Sequence, residues 1–247
     1  MKKFIVLCTA ILIVSVLATM VIGCQSQAEQ HHKRGADLVS VGHYEEAITE
    51  FNRAIELEPN YARAYIGRGA AHHAKGEHEK AIADLNKAIE LAPEDALAYL
   101  TRGDIYRSDG EFEKAIVDLD RAIELDQKLD LAYFSRATIY CLKGEWDRGI
   151  ADLDKAIELR PNAWAYNNRC IAYAAKGEYD KAIADGNNAI ELDHSYARAY
   201  YSRSQAYMGK GEYNKAILDL EKCIELSGDP SLIQEAEQLL EEMKSSK

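Results

Sequence analysis

The sequence predicts an all-α fold of six tandem helix–turn–helix repeats, closed by one C-terminal helix. A seven-residue string that begins with glycine and ends with isoleucine recurs at glycine spacings of 34, 34, 34, 33 and 34 residues. On both sides of each glycine, apolar residues lie three or four positions apart, which is the helical period. Pro59, Pro93 and Pro161 follow the second stretch in three repeats, where proline ends a helix.

The start of the chain differs from the rest and predicts an export signal. Lys2 and Lys3 precede an apolar run over residues 4–22, and no acidic residue occurs before Glu29. This pattern is typical of a signal peptide, and the run is also long enough for a transmembrane helix. We therefore interpret residues 1–23 as a signal peptide or membrane anchor and 24–27 as a short tether. Because the lysines stay inside, the remaining chain is expected on the non-cytoplasmic side of the membrane.

The string Val21-Ile22-Gly23-Cys24 resembles a bacterial lipobox. In lipoproteins with this motif, the cysteine sulfur takes a diacylglyceryl group and the chain is cleaved before the cysteine. The resemblance implies that Cys24 is a lipidation site and that the protein is a membrane-anchored lipoprotein. The alternative is an uncleaved transmembrane anchor that ends in Gly-Cys.

The repeats carry small residues at fixed places, such as Gly69 in a first helix and Ala81 and Ala88 in a second helix. Gly76 supplies the turn between those two helices. The pattern resembles the tetratricopeptide repeat (TPR) family, whose unit is a helix–turn–helix of 34 residues. The resemblance implies a right-handed α-solenoid that binds protein or peptide segments in a concave groove. The six predicted repeats are residues 28–61, 62–95, 96–129, 130–162, 163–196 and 197–230.

Two features concern the packing of individual repeats. Gly186 stands where second helices of this family have a large apolar residue, so we expect the fifth repeat to be the most loosely packed. Residues 231–247 predict a capping helix and tail, with Asp229 as the N-cap and Pro230 at the first helical position. A solenoid needs such a cap because its last repeat otherwise leaves an apolar face in water. The apolar face of this helix contains Leu232, Ala236, Leu239, Leu240 and Met243.

A column of arginines and a column of acids lie eight residues before and eight residues after the turn glycines. In an antiparallel helix pair, equal distances from the turn bring two side chains to the same level, so each arginine is predicted to pair with the acid of its own repeat. The alternative is a row of arginines that binds anionic ligands. Arg34 and Glu50 occupy these columns in the first repeat. The other predicted structural salt bridges are Arg68–Asp84, Arg102–Asp118, Arg136–Asp152, Arg169–Asp185 and Arg203–Asp219.

A neighbouring stripe on the first helices varies between repeats. In TPR proteins the first helices line the groove, so the resemblance implies that this stripe contacts the partner. The alternative is that its residues are simply variable and half-exposed. Because Phe134 and Trp164 lie outside the constant columns, their removal is expected to leave stability nearly unchanged. The predicted groove residues are Ile66, Leu97, Leu100, Asp104, Arg107, Leu131, Phe134, Trp164, Asn167, Ile171, Tyr201 and Gln205.

Composition and motifs exclude several functions. The formal charge of −11 argues against nucleic acid as a ligand, because phosphates require a basic surface. No Gly-x-Ser-x-Gly, His-Glu-x-x-His or Walker string occurs. We therefore expect a non-enzymatic, membrane-tethered scaffold that binds protein segments and assembles envelope complexes, without a cofactor, a metal or a small-molecule substrate. The alternative is a metal-binding protein or metal-dependent enzyme subunit that uses His72, His73 and His78, which flank one turn.

Overall fold

The computed structural model describes residues 27–245, and the regular structure in this range is entirely helical, as the sequence predicts. The chain divides into two compact units, one ending at Leu125 and the other beginning at Asp126. Cys24 and the predicted signal or anchor, residues 1–23, lie outside the described residues. Within the described part, no helix combines the length and apolar character needed to cross a membrane.

The first unit consists of consecutive helix pairs. Helix α3 packs on α4 and α5 packs on α6, as the repeat pattern predicts, and α2 packs on α3. The helices are α1 (27–40), α2 (Tyr44–Leu57), α3 (Ala62–Ala74), α4 (His78–Leu91), α5 (Ala96–Ser108) and α6 (Phe112–Leu125).

The second unit repeats this arrangement and adds one helix. Helix α7 packs on α8, α9 on α10 and α11 on α12, and α13 packs on α12. The helices are α7 (Asp130–Leu142), α8 (Trp146–Leu159), α9 (Ala163–Ala175), α10 (Tyr179–Leu192), α11 (Ala197–Gly209), α12 (Tyr213–Leu226) and α13 (Pro230–Ser245).

The turn inside each helix pair depends on its glycine. Gly76 has φ +77°, a left-handed conformation that side chains with a Cβ rarely adopt. The Gly76 N–H donates to the carbonyl of His73 at 2.8 Å, and the Glu77 N–H donates to that of His72 at 2.9 Å. These two bonds satisfy carbonyls that the end of α3 leaves unpaired. The predicted turn role of Gly76 is therefore confirmed.

Small residues of first helices accommodate large residues of second helices. A Cβ atom at Gly69 would lie 3.1 Å from Leu85 Cγ, so the side chain of Leu85 packs directly against the α3 backbone. In the first repeat the large residue is Phe51, and a Cβ at Gly35 or Gly67 would come within 2.8 Å or 2.4 Å of its ring. The ring of Phe51 thus explains why both helices that it contacts, α1 and α3, have a glycine at the contact.

The fifth repeat is not left open at Gly186. A Cβ atom there would lie 2.8 Å from Arg203 Cβ and 2.9 Å from Arg203 Cγ, so the arginine stem occupies the space of the missing side chain. The expectation of loose packing at this position is therefore wrong. A related exchange occurs at Gly149, where a Cβ would lie 2.6 Å from Cys141 Sγ.

Helix α13 covers the last repeat, as predicted. Its N-cap is Asp229, whose Oδ1 accepts the Ser231 N–H at 3.0 Å. Leu232, Ala236 and Met243 are buried in one cluster with Leu220 of α12, and Leu239 and Leu240 pack at its edge. The apolar face of the cap therefore closes the end of the repeat array.

Candidate functional site

First helices of neighbouring repeats pack directly on one another within each unit. Helix α3 packs on α5 in the first unit, and α9 packs on both α7 and α11 in the second unit. The variable stripe lies on these first helices. We call its surface on α7, α9 and α11, which includes Leu131, Trp164 and Ile171, the inner face of the second unit.

Four predicted groove residues are exposed apolar side chains. Leu97 of α5 is 46% exposed. In the second unit, Leu131 is 44% exposed, Trp164 61% and Ile171 37%. Large side chains in water are available to cover a partner's apolar surface. The second unit therefore has the larger set of exposed apolar groove residues.

Other residues of the predicted groove do not reach the surface in the same way. Leu100 and Asn167 are buried, at 6% and 1% exposure. They therefore support the first helices, whereas the sequence predicted that they face the ligand. Phe134 is half-buried and packs against the cluster of Ala137, Leu153, Ile157 and Ala165, so it contacts the core although it lies outside the constant columns. Periodicity identified the helix face but not the depth of each side chain. Ile66, Asp104, Arg107 and Tyr201 are half-buried, and Gln205 is exposed.

Asn167 is the one buried residue of the inner face with an unusual environment. Both its Oδ1 and its Nδ2 lack a hydrogen-bond partner within the described residues. Its neighbour Asn168 donates to Thr138 Oγ1 at 3.4 Å, which links α9 to α7. Buried polar groups are normally paired, so the Asn167 amide departs from the usual pattern in the middle of the stripe.

The groove residues of the first unit are more polar. Arg107 Nε donates to Asp104 Oδ1 at 3.3 Å, and both side chains are about one-third exposed. Next to them, burial lowers the pKa of His73, and the nearby His78 lowers it further. The two units therefore present different chemistry, ionic in the first and largely apolar in the second.

Arg198 is a surface residue of this face that is not among the predicted groove residues. It is the second residue of α11, just as Leu131 and Trp164 are the second residues of α7 and α9. Its side chain is 49% exposed. The register of the three helices, read off the repeat alignment, could have identified it. The row Leu131, Trp164 and Arg198 therefore joins two apolar side chains and one cation.

The arginine and acid columns meet as bidentate pairs. Arg102 donates from Nε and Nη2 to the two carboxylate oxygens of Asp118, both at 2.7 Å. Asp118 is 5% exposed, and its hydrogen bonds raise the pKa of Arg102. Tyr99 and Tyr106 place their rings 5.8 and 6.0 Å from the guanidinium. The same two bonds, at 2.6–2.8 Å, join Arg68–Asp84, Arg136–Asp152, Arg169–Asp185 and Arg203–Asp219.

A third bond from these arginines crosses to the preceding repeat. Arg102 Nη1 donates to Asn86 Oδ1 at 2.6 Å, and Asn86 belongs to the second helix of the repeat before. Spacing around one turn predicts only pairs inside one repeat, so this contact between repeats was not expected from the sequence. The arginines therefore join neighbouring repeats as well as the helices of one repeat. Equivalent bonds are Arg68–Asn52, Arg169–Asp154 and Arg203–Asn187.

The first repeat departs from this pattern. Glu50 is hydrogen-bonded to His31 at 2.7 Å and to Arg53 at 2.7 Å, and within residues 27–245 it makes no hydrogen bond to Arg34. Glutamate is one methylene longer than aspartate and reaches His31, which lies almost one helical turn before Arg34.

The three histidines of the alternative hypothesis contact different groups. His72 Nδ1 lies 2.7 Å from Glu77 Oε2, and His78 Nδ1 contacts Asp109. The rings of His73 and His78 are tilted by 47° to each other, with centroids 4.9 Å apart. Among the described residues, no group of three or more potential ligands is arranged to hold a metal ion. The geometry therefore does not favour a metal site on these three residues.

Comparisons with known proteins agree with the paired-helix architecture. Family models described as TPR repeat match residues 35–76, 103–140 and 171–211, and models described as Tetratricopeptide repeat match 62–95 and 197–230. No curated protein matches the chain.

Several solved structures are similar. A chain of the APC/C hetero-tetramer Cut9–Hcn1 aligns with TM-score 0.78 and 23% identity over 88% of this chain, which spans only 43% of that relative. YrrB, described as a TPR protein with an unusual peptide-binding site, aligns with TM-score 0.60 and 25% identity over 76% of this chain and 97% of its own. MamA aligns with TM-score 0.58 and 30% identity over 64% of this chain and 92% of its own.

Together, the family matches, the consecutive helix pairs and the similar solved structures show that this chain belongs to the tetratricopeptide repeat family and has its α-solenoid fold.

Proposed function

We propose that this protein is a non-enzymatic scaffold that binds protein or peptide segments on the first helices of its repeats. TPR folds typically bind such partners, and YrrB is described as having a peptide-binding site. The observation that carries the proposal is Trp164, which is 61% exposed on α9. A tryptophan buries about 150–250 Å² when it is covered, and aromatic anchors of this kind dominate interface energies.

The residues around Trp164 support the same role. Leu131 lies at the equivalent position of the adjacent helix α7, and Ile171 lies two turns along α9. All three are more than one-third exposed, so their apolar surfaces are available for contact. The proposal therefore places the main partner contact on the inner face of the second unit.

The scaffold proposal includes a membrane tether. The lysines and apolar run of residues 1–23 and the lipobox-like Cys24 support attachment by lipid or by a helix. In this proposal the repeats lie on the non-cytoplasmic side and assemble complexes of the cell envelope. No cofactor or metal takes part.

Partner recovery from solubilised membranes tests the binding site. The double variant Leu131→Ala/Trp164→Ala is compared with Tyr213→Ala/Leu218→Ala, which removes an aromatic and an aliphatic side chain that are 53% and 65% exposed on α12. We expect the first variant to lose partners that the wild type and the control retain, while all three proteins show the same circular-dichroism melt. Equal recovery by both variants would place the site elsewhere.

The tether is tested separately with Cys24→Ala. We expect this variant to accumulate as an unprocessed precursor, whereas intact-mass measurement of the wild type shows a lipidated chain that begins at residue 24. A wild-type mass that includes residues 1–23 without lipid would refute the lipoprotein part of the proposal.

A further inference from the structure

Charge is unevenly distributed between the helices of the second unit. The chain has 41 acidic and 30 basic residues. Nevertheless, α9 and α11 contain no acidic residue and three arginines, Arg169, Arg198 and Arg203. The second helices α8, α10 and α12 each contain more acids than bases. Two of the three first helices of this unit, α9 and α11, are therefore free of acids, and α7 carries only Asp130.

Two of these arginines are committed to the fold. Arg169 and Arg203 donate bidentate bonds to the buried Asp185 and Asp219, and each side chain is only 17% exposed. Their charges are neutralised inside the repeats. Of the three arginines, Arg198 is therefore the one whose guanidinium is not held by a buried acid of its own repeat.

Arg198 has no hydrogen-bond partner within residues 27–245. Its nearest carboxylate oxygen, Asp229 Oδ2, lies 3.8 Å from Nη2. The other oxygen of Asp229 accepts the N–H and the hydroxyl of Ser231, at 3.0 and 2.7 Å, as the cap of α13. On α7 the acid Asp130 is already paired with Arg160 at 3.1 Å. The contact with Asp229 is a long, half-exposed ion pair, and the N–H donors of Arg198 make no hydrogen bond among residues 27–245, so they can bind a carboxylate from outside.

The position of Arg198 sets its distance from the apolar anchors. Leu131, Trp164 and Arg198 hold the same register on helices that pack in the order α7, α9, α11. Packed helices lie about 8–10 Å apart. An extended peptide advances roughly 3.3 Å per residue. Two peptide side chains, one in contact with Trp164 and the other in contact with Arg198, are therefore two or three residues apart in the peptide.

We propose that this row binds an extended protein segment in which an aspartate or glutamate lies two or three residues from a large aliphatic or aromatic side chain. The apolar side chain packs on Leu131 and Trp164, and the carboxylate pairs with Arg198. The inference rests on the proposed function, whose ligand class it names. Since Arg198 is half-exposed, the ion pair contributes selection among segments more than affinity.

Selection from a library of displayed random 12-residue peptides tests the inference on the full-length chain in detergent micelles. The wild type is compared with Leu131→Ala/Trp164→Ala, with Arg198→Glu and with the control Arg63→Glu. Arg63 is also exposed and is the second residue of α3, so the control makes the same charge change in the first unit. We expect the wild type and the control to enrich peptides with an acid two or three residues from a large apolar residue. The peptides that Arg198→Glu enriches should have lysine or arginine in place of that acid.

The outcomes separate the two proposals. If Arg198→Glu keeps the acid preference while Leu131→Ala/Trp164→Ala loses the peptides, the acidic class is wrong and the binding face stands. If the wild type enriches no peptides, or the alanine variant enriches the same ones, the binding face itself is refuted. For the best peptide, changing its acid to the amide should weaken wild-type binding about two- to fivefold, as for an exposed ion pair. The same change should have no effect on Arg198→Gln, and an equal effect would overturn the pairing.

Discussion

Replacing Arg102 by methionine should be among the most destabilising single changes in the first unit. The substitution retains an apolar stem of similar length and removes the guanidinium that donates two bonds to Asp118 and one to Asn86. Asp118 is 5% exposed, so its charge is left without a partner and almost without water.

The expected magnitude follows from this burial. Removing one member of a buried pair costs about 3–5 kcal/mol, because the remaining charge is uncompensated. Arg121 supplies the matched control: it is 40% exposed and bonds Glu124, itself 67% exposed, at 3.2 Å. Arg121→Met should have a much smaller effect, because surface pairs contribute little to stability.

Urea unfolding followed by circular dichroism measures both variants. Amide hydrogen exchange then locates the damage, which should centre on α4, α5 and α6 because repeat stability is mostly nearest-neighbour. A double-mutant cycle with Asp118→Asn should show coupling, since the neutral amide leaves no buried charge behind. Equal losses for Arg102→Met and Arg121→Met, or additive effects in the cycle, would refute the reasoning.

Three further predictions concern packing and titration. Gly186→Leu, which restores the repeat pattern, should destabilise the protein by about 1–3 kcal/mol in thermal or urea unfolding, because Arg203 already fills the space; a gain in stability would show that the space is empty. Burial raises the pKa values of Cys141 to about 11, Cys170 to about 12 and Cys223 to about 11, so none should react with a thiol reagent at pH 8 until the chain is unfolded. Hydrogen bonds from Lys80, Lys75 and His72 lower the pKa of Glu77 to about 2. The contribution of Glu77 to stability should therefore be complete above the ordinary carboxyl pKa and should disappear as the pH falls towards 2. The Glu77 carboxyl signal in NMR follows its protonation, and titration near 4.5 would contradict these bonds.

The repeat period made the helix pairs and their turns predictable from sequence. Helical spacing on both sides of Gly76 and the turn propensity of glycine are local properties, and the structure retains them. Asp229 and Pro230 predicted the start of α13 for the same reason. Equal distance from the turn also placed Arg102 opposite Asp118, because this relation needs only one helix pair.

Contacts between repeats could not be derived from one repeat alone. The bond from Arg102 to Asn86 depends on how a first helix packs against the preceding second helix. The filling of Gly186 by the stem of Arg203 depends on the same packing. Variation between repeats was also a poor guide to burial. The repeat position of Asn167 holds different residues in other repeats, and Asn167 is nevertheless only 1% exposed.

The central claim, that partners bind on the inner face of the second unit, is tested most directly by site-specific photo-crosslinking in intact membranes. A photoreactive phenylalanine analogue replaces Leu131 in one protein and Leu218 in another, since both positions are exposed and they lie on a first and a second helix. Crosslinks to discrete proteins at position 131 that are absent at position 218 and that disappear with Trp164→Ala are the predicted result. Crosslinks at position 218 alone, or crosslinks at 131 that persist with Trp164→Ala, would contradict the claim.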